Sequence, residues 1–350
     1  MRVEPLLPRA RRTSRGLVAG TIAASVAAQR LAPGALGARA QSALVLGALA
    51  LGMPHGAADT EVLRAAARGS RVRHGGLLAG YAAAAAAATT GVARAGDRGG
   101  LVVLAGSALH FAEGELACWA PPRGAAGRAG RGTGALRATG VALATLGLQS
   151  AVALAGRSEL AGGGEGGGGG EGGGGGAGAR SRATGVTVGA GLRRTGLALL
   201  ADRHLPPRRR APLVAAAGGA VAAAAAWAAR GDRAVAGDLA LLTGLGLLTP
   251  PALSFAGYFG GWHAVRHTAR LVDSLARRGL LAPPTSLPAA FWDLGRRSAW
   301  ASAVGLVSVA ALAVAQPRRA ADAGLDATLG LTVPHAITVA LALRERLPSA

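Results

Sequence analysis

Long runs of small and apolar residues alternate with short arginine-rich stretches along the whole chain. The apolar runs fall at about 17–29, 41–57, 76–93, 100–119, 135–155, 184–201, 211–229, 234–262, 299–316 and 325–343. Most approach the roughly 20 residues that a helix needs to cross a hydrocarbon core of about 30 Å. The pattern predicts an all-α protein, a polytopic transmembrane helical bundle of about 8–10 spans. The runs at 17–29 and 184–201 are the least apolar, and Arg193 and Arg194 make the second equally readable as a loop or an interfacial helix. A soluble alanine-rich helical protein is the alternative, because alanine is only weakly apolar.

The polar positions add an orientation. Arg2, Arg9, Arg11, Arg12 and Arg15 precede the first run, and the stretches at 64–73, 123–137, 203–210, 266–297 and 344–346 are arginine-rich. Those near 94–98, 230–233 and 318–319 carry fewer. With ten spans the rich stretches share one side, which would put both termini in the cytoplasm of a multi-pass cell-membrane protein. The start, "RRTSRGLVAGTIAASVAA", has features of a twin-arginine or secretory signal. The many apolar runs after it favour a basic flank before a first span.

Residues 162–178 read "GGGEGGGGGEGGGGGAG". Such a composition has no apolar surface to bury, and without a Gly-Lys-Ser/Thr signature it is no phosphate cradle. It predicts a linker or loop insertion. The expected organisation is therefore a basic segment with a first span over 1–40, one part of the bundle over 41–161, a glycine-rich linker over 162–182 and a second part over 183–350.

Composition agrees with a membrane protein. Hydrophobic residues make up 51% of the 350 and charged residues 16%, against about 25% charged in an ordinary soluble domain. Mean hydropathy is +0.35. The net charge of +21 would fit a nucleic-acid binder, but every basic residue is arginine, clustered between apolar runs with no aromatic or RNA-binding motif alongside. Nucleic acid is therefore not an expected partner. Cys118 is the only cysteine, so neither an intrachain disulfide nor a cysteine metal site can form.

The candidate chemistry lies in the histidines. His74 and His204 sit among arginines, whereas His55, His110, His263, His267 and His335 lie in or at the ends of apolar runs. In "YFGGWHAVRH", His263 and His267 are four apart, which on a helix sets both rings on one face, one turn apart. That spacing presents two ligands to one metal, and it also arises by chance at helix ends. His110 is followed by Glu113 and Glu115 in "LHFAEGE". His55 sits between Pro54 and Gly56 with Asp59 four residues on, and "VPH" recurs at His335. Metal-binding histidines usually give their second ring N–H to a carboxylate or carbonyl, so Asp59, Glu113, Glu115 and His335 are candidate supporting residues. No HExxH and no G-x-S-x-G occurs, which argues against the common helical zinc proteases and against a serine hydrolase.

"GMPHGAAD", "SALHFAEGE", "YFGGWHAVRH" and "TVPHAITV", in this order, resemble the motifs of the Brp/Blh family of membrane β-carotene 15,15′-dioxygenases. The resemblance runs from about residue 41 to 343. Three positions depart from it: Ala112 and Glu115 stand where the family's second motif has Gly and Asp, and Ala264 replaces a small polar residue. The resemblance implies a non-haem Fe(2+) held by His55, His110, His263 and His267, and cleavage of β-carotene by O₂ to two retinals within the lipid bilayer. Pro54 and Gly56 would bend a helix to aim His55 at the metal, and Asp59 would hold its ring. Asp59 or Glu113 as a direct ligand stays open, since many iron oxygenases use two histidines and a carboxylate. Tyr258, Phe259 and Trp262 are candidates to line a carotenoid slot, or else to anchor at the membrane interface. The alternatives are a membrane metal-dependent hydrolase or desaturase-like enzyme, a histidine-relay metal or proton transporter, and a bis-histidine haem protein.

Overall fold

The computed structural model describes residues 5–32, 43–44, 47–48, 52, 56, 58–119, 140–143, 207–304, 307 and 330–339. Every regular element among them is helical: α1 (Leu6–Leu31), α2 (Asp59–Ala66), α3 (Arg71–Trp119), α4 (Pro207–Ala229), α5 (Arg233–Leu248), α6 (Pro251–Ala256), a π-helical stretch (Gly257–His263), α7 (Ala264–Arg277) and α8 (Leu287–Arg297). Residues 330–339, here α9, are also helical.

Local chemistry explains the ends. Asp59 and Glu61 occupy the first turn of α2, where negative charge opposes the positive end of the helix dipole. Its far end reverses through Arg68 (φ 50°) and Gly69 (φ 77°), the left-handed exit common at helix C-termini. Asp232 caps α5, its side chain accepting from the Val235 N–H at 3.2 Å. α5 stops at Thr249, held extended (φ −117°, ψ 150°) ahead of Pro250, and Pro251 begins α6 where its missing N–H costs nothing.

Three expectations need correction. The apolar run 234–262 is not one helix, because Pro250 and Pro251 divide it. The stretch 266–297, expected as a loop, is largely α7 and α8. The loop expected near 94–98 is absent, and α3 runs on through it for 49 residues. No proline interrupts that stretch, and each glycine there costs only about 1 kcal/mol of helix propensity. At 1.5 Å per residue α3 is roughly 74 Å long, more than twice a bilayer's hydrocarbon core.

Two described segments, Arg71–Val92 and Arg210–Ala229, are long and apolar enough to cross a membrane. Only 6% and 22% of their most apolar stretches are buried inside the protein, so their apolar surface faces outward, as lipid contact would need. The runs expected at 41–57 and 135–155 fall mostly outside the described residues, and that at 184–201 and the glycine-rich stretch wholly so.

The chain forms two compact units, each drawing on sequence before and after the glycine-rich stretch. One comprises Met1–Ser14, Ala50–Ala120 and His263–Ala350, the other Arg15–Leu49 and Pro121–Trp262. In the first, Val265, Ala269 and Val272 recur along α7 at helical spacing and join a core with Leu6 and Ala10, Ala58 and Val62, and Ala290 and Leu294. The start of α1 is tied to α7, since the Asp273 carboxylate accepts the Leu6 N–H at 3.1 Å and the Leu7 N–H at 3.3 Å. Those are donors a helix start cannot satisfy itself. In the second unit α4 packs along α5, Arg15 pairs with Asp238, and Gln29 donates to the Leu248 carbonyl at 3.2 Å. Gly260 approaches so closely that a Cβ there would meet the Ala48 Cα at 3.0 Å. A side chain there would press on a neighbouring backbone, which favours glycine.

Candidate metal centre

The π-helical stretch Gly257–His263 leads directly into α7. Such wider turns are rare and cluster at functional sites. His263 closes the stretch and His267 follows one α-helical turn later, so the spacing expected to share a face does so: their ring centres are 5.2 Å apart. Both residues are buried, at 1% and 3% exposure.

α3 brings His110 to this face. It passes α7 at Gly114, where a Cβ would lie 3.9 Å from His263 Cε1 and 4.0 Å from His267 Nδ1. Phe111 sets its ring edge-on to His263, with centres 4.2 Å apart. The His110 ring centre is 6.4 Å from that of His267. α9 adds His335, 5.4 Å from His110 and 5.7 Å from His267. Four imidazoles from three helices are thus gathered, and all four Nε2 atoms are sealed from solvent. His110 Nε2 has no hydrogen-bond partner among the described residues.

His335 is held from behind. Its Nδ1 lies 2.9 Å from Asp59 Oδ2, and the Tyr81 hydroxyl donates to the same oxygen at 2.9 Å. Asp59 Oδ1 is buried with no hydrogen-bond partner among the described residues. Asp59 therefore engages His335, and the contact expected with His55 cannot be read because Met53, Pro54 and His55 lie outside the described residues.

The other expected site residues take different places. Glu115 does not meet His110. It reaches Arg266, between His263 and His267, at 3.3 Å, with both side chains at 1% exposure or less. Arg266 Nε also donates to Ser14 Oγ at 2.7 Å. Glu113 is exposed. Tyr258 and Trp262 are fully buried, and Phe259 stacks on Phe255 with centres 5.5 Å apart. None of these three lines the apolar groove between α4 and α5, which is formed by Val214, Ala217, Gly218, Val221, Ala222 and Leu247. Tyr81 and Arg266 were not singled out from the sequence. The lone tyrosine of an alanine run and an arginine between two apolar-face histidines were the available signals.

The donor set suits a transition metal in kind, since buried imidazole is the commonest metal-binding side chain and carries no charge to neutralise the ion. With metal–nitrogen bonds of about 2.1 Å and ring centres about 1.2 Å beyond, two imidazoles on one ion stand about 5 Å apart. The rings lie at that separation or somewhat wider. Among the described residues no group of three His, Cys, Asp or Glu side chains is closed tightly enough to hold an ion as it stands.

Residues 198–342 match the family model described as beta-carotene 15,15'-dioxygenase. The matched segment contains His263, Arg266, His267 and His335, and the stretch with His110 and Asp59 precedes it. No curated protein and no solved structure matches the chain.

Proposed function

We propose that this chain, whose residues 198–342 match the family model described as beta-carotene 15,15'-dioxygenase, cleaves the central C15=C15′ double bond of β-carotene with O₂ to give two retinals. The balance is simple: the double bond breaks and each half keeps one oxygen atom as an aldehyde. The family supports a dioxygenase acting on a carotenoid. The finer reading adds a non-haem Fe(2+) held by His55, His110, His263 and His267, in a multi-pass membrane protein. The observation that carries it is the gathering of His110 of α3 with the buried His263 and His267, the last two inside the matched segment.

Bound iron would supply the means of activating O₂. The chain's own residues supply the rest. Neutral imidazoles leave the ion's positive charge intact. Phe111 packs edge-on against His263 and fixes that ring among apolar neighbours. Burial of the four Nε2 atoms keeps water from competing for the donors. The outward apolar faces of Arg71–Val92 and Arg210–Ala229 suit a chain that meets a lipid-dissolved substrate from within the bilayer. The test uses full-length protein in detergent micelles, loaded with Fe(2+) and given β-carotene and O₂. Retinal as the sole aldehyde, with label from ¹⁸O₂ in it, is expected. Longer apocarotenals, or no aldehyde from iron-loaded protein, would overturn the reading.

A further inference from the structure

The Asp59–His335 pair has no place in a four-histidine site, yet it has the form of a metal ligand with its support. A coordinating histidine almost always gives its other ring N–H to a carboxylate, which fixes the tautomer and aims the remaining nitrogen. His335 Nδ1 is 2.9 Å from Asp59 Oδ2, and Tyr81 fixes that oxygen from the other side. When Nδ1 donates, Nε2 is left as the lone-pair nitrogen on the far edge of the ring. That Nε2 is buried, and the ring stands nearer to His110 (5.4 Å) than His110 stands to His267 (6.4 Å). Among the described residues, His110, His267 and His335 form the closed triangle of the cluster, with His263 adjoining His267. His335 thus has a carboxylate on Nδ1 and two imidazole rings within 5.7 Å of its own.

We propose that His335 is itself a metal ligand of this site, with Asp59 and Tyr81 as the positioning residues that aim its Nε2. The proposal rests on the metal-dependent reading above and changes the ligand set within it. It also gives Asp59 a definite role, holding a ligand rather than binding the metal.

Co(2+) titration of the full-length protein in detergent tests it, because the visible bands of bound Co(2+) report the number and kind of its ligands. His335→Ala is expected to shift those bands and weaken binding more than 100-fold, and added free imidazole should restore the wild-type spectrum. Asp59→Asn is expected to keep the spectrum while weakening binding about 10–100-fold. Wild-type spectrum and affinity in His335→Ala would overturn the proposal and leave the metal-dependent reading standing. Absence of Co(2+) and Fe(2+) binding by the wild type would overturn both. Should His335→Ala lose its helical circular dichroism, Asp59→Asn decides: unchanged affinity overturns the proposal, and a 10–100-fold loss at constant spectrum upholds it.

Discussion

Replacing Glu115 with Gln perturbs an ion pair between α3, which carries His110, and α7, which carries His267. Arg266 sits on α7 between His263 and His267, and Glu115 sits on α3 five residues after His110. Their charges meet at 3.3 Å with exposures of 0% and 1%. Neither partner has water to fall back on. Breaking a buried pair by removing one member costs about 3–5 kcal/mol, because the survivor's charge stays desolvated, whereas replacing both with apolar residues is close to neutral. The Ser14 hydroxyl on Arg266 Nε compensates only part of this, as a neutral acceptor. Glu115→Gln should therefore lower stability by about 3 kcal/mol, roughly a hundredfold in the folding equilibrium. Glu115→Leu combined with Arg266→Met should recover most of it. Because a misplacement of about 1 Å can cost about 100-fold in rate, the single variant should also lose activity where it remains folded. Unfolding by SDS in mixed micelles, followed by circular dichroism, measures the first effect, and retinal formation the second. The reasoning is refuted if Glu115→Gln unfolds with the wild type, or if the double variant loses as much as the two singles added together.

Other expectations follow from the same structure. Ala at His55, His110, His263 or His267 should each reduce bound iron in the purified protein by more than tenfold; metal analysis showing iron retained in any one variant removes that residue from the set. Deleting residues 162–178 should leave retinal formation within about twofold, because loop-closure entropy changes only logarithmically with length, and a deletion that inserts normally but is inactive would contradict the linker reading. Gly260→Leu should destabilise the protein by about 1–3 kcal/mol through overpacking against the Ala48 backbone, and a variant that denatures at the wild-type SDS fraction would count against that close approach.

The parts of this account that were legible in the sequence are those set by local spacing. His263 and His267 share a face because a helical turn puts residues four apart on one side. The amphipathic face of α7 follows from the same period, although its arginines made it read as a loop. The Pro250–Pro251 break was visible as residues but was averaged away in a long apolar run. What could not be read was long-range choice. Asp59 lies four residues from His55 in sequence and 276 from His335, yet the described contact is with His335. Glu115 is near His110 along the helix but points to Arg266, 151 residues away. Each buried carboxylate has several candidate partners, and only the packing of α3, α7 and α9 selects among them.

The central claim is cleavage of β-carotene to retinal, and expression of the full chain in cells that accumulate β-carotene tests it most directly. The account predicts loss of the orange pigment with up to two retinals for each carotene consumed, and retention of the pigment with His263→Ala made at the same level. Wild-type protein that is present, folded and iron-loaded in cells that stay orange and contain no retinal would contradict it.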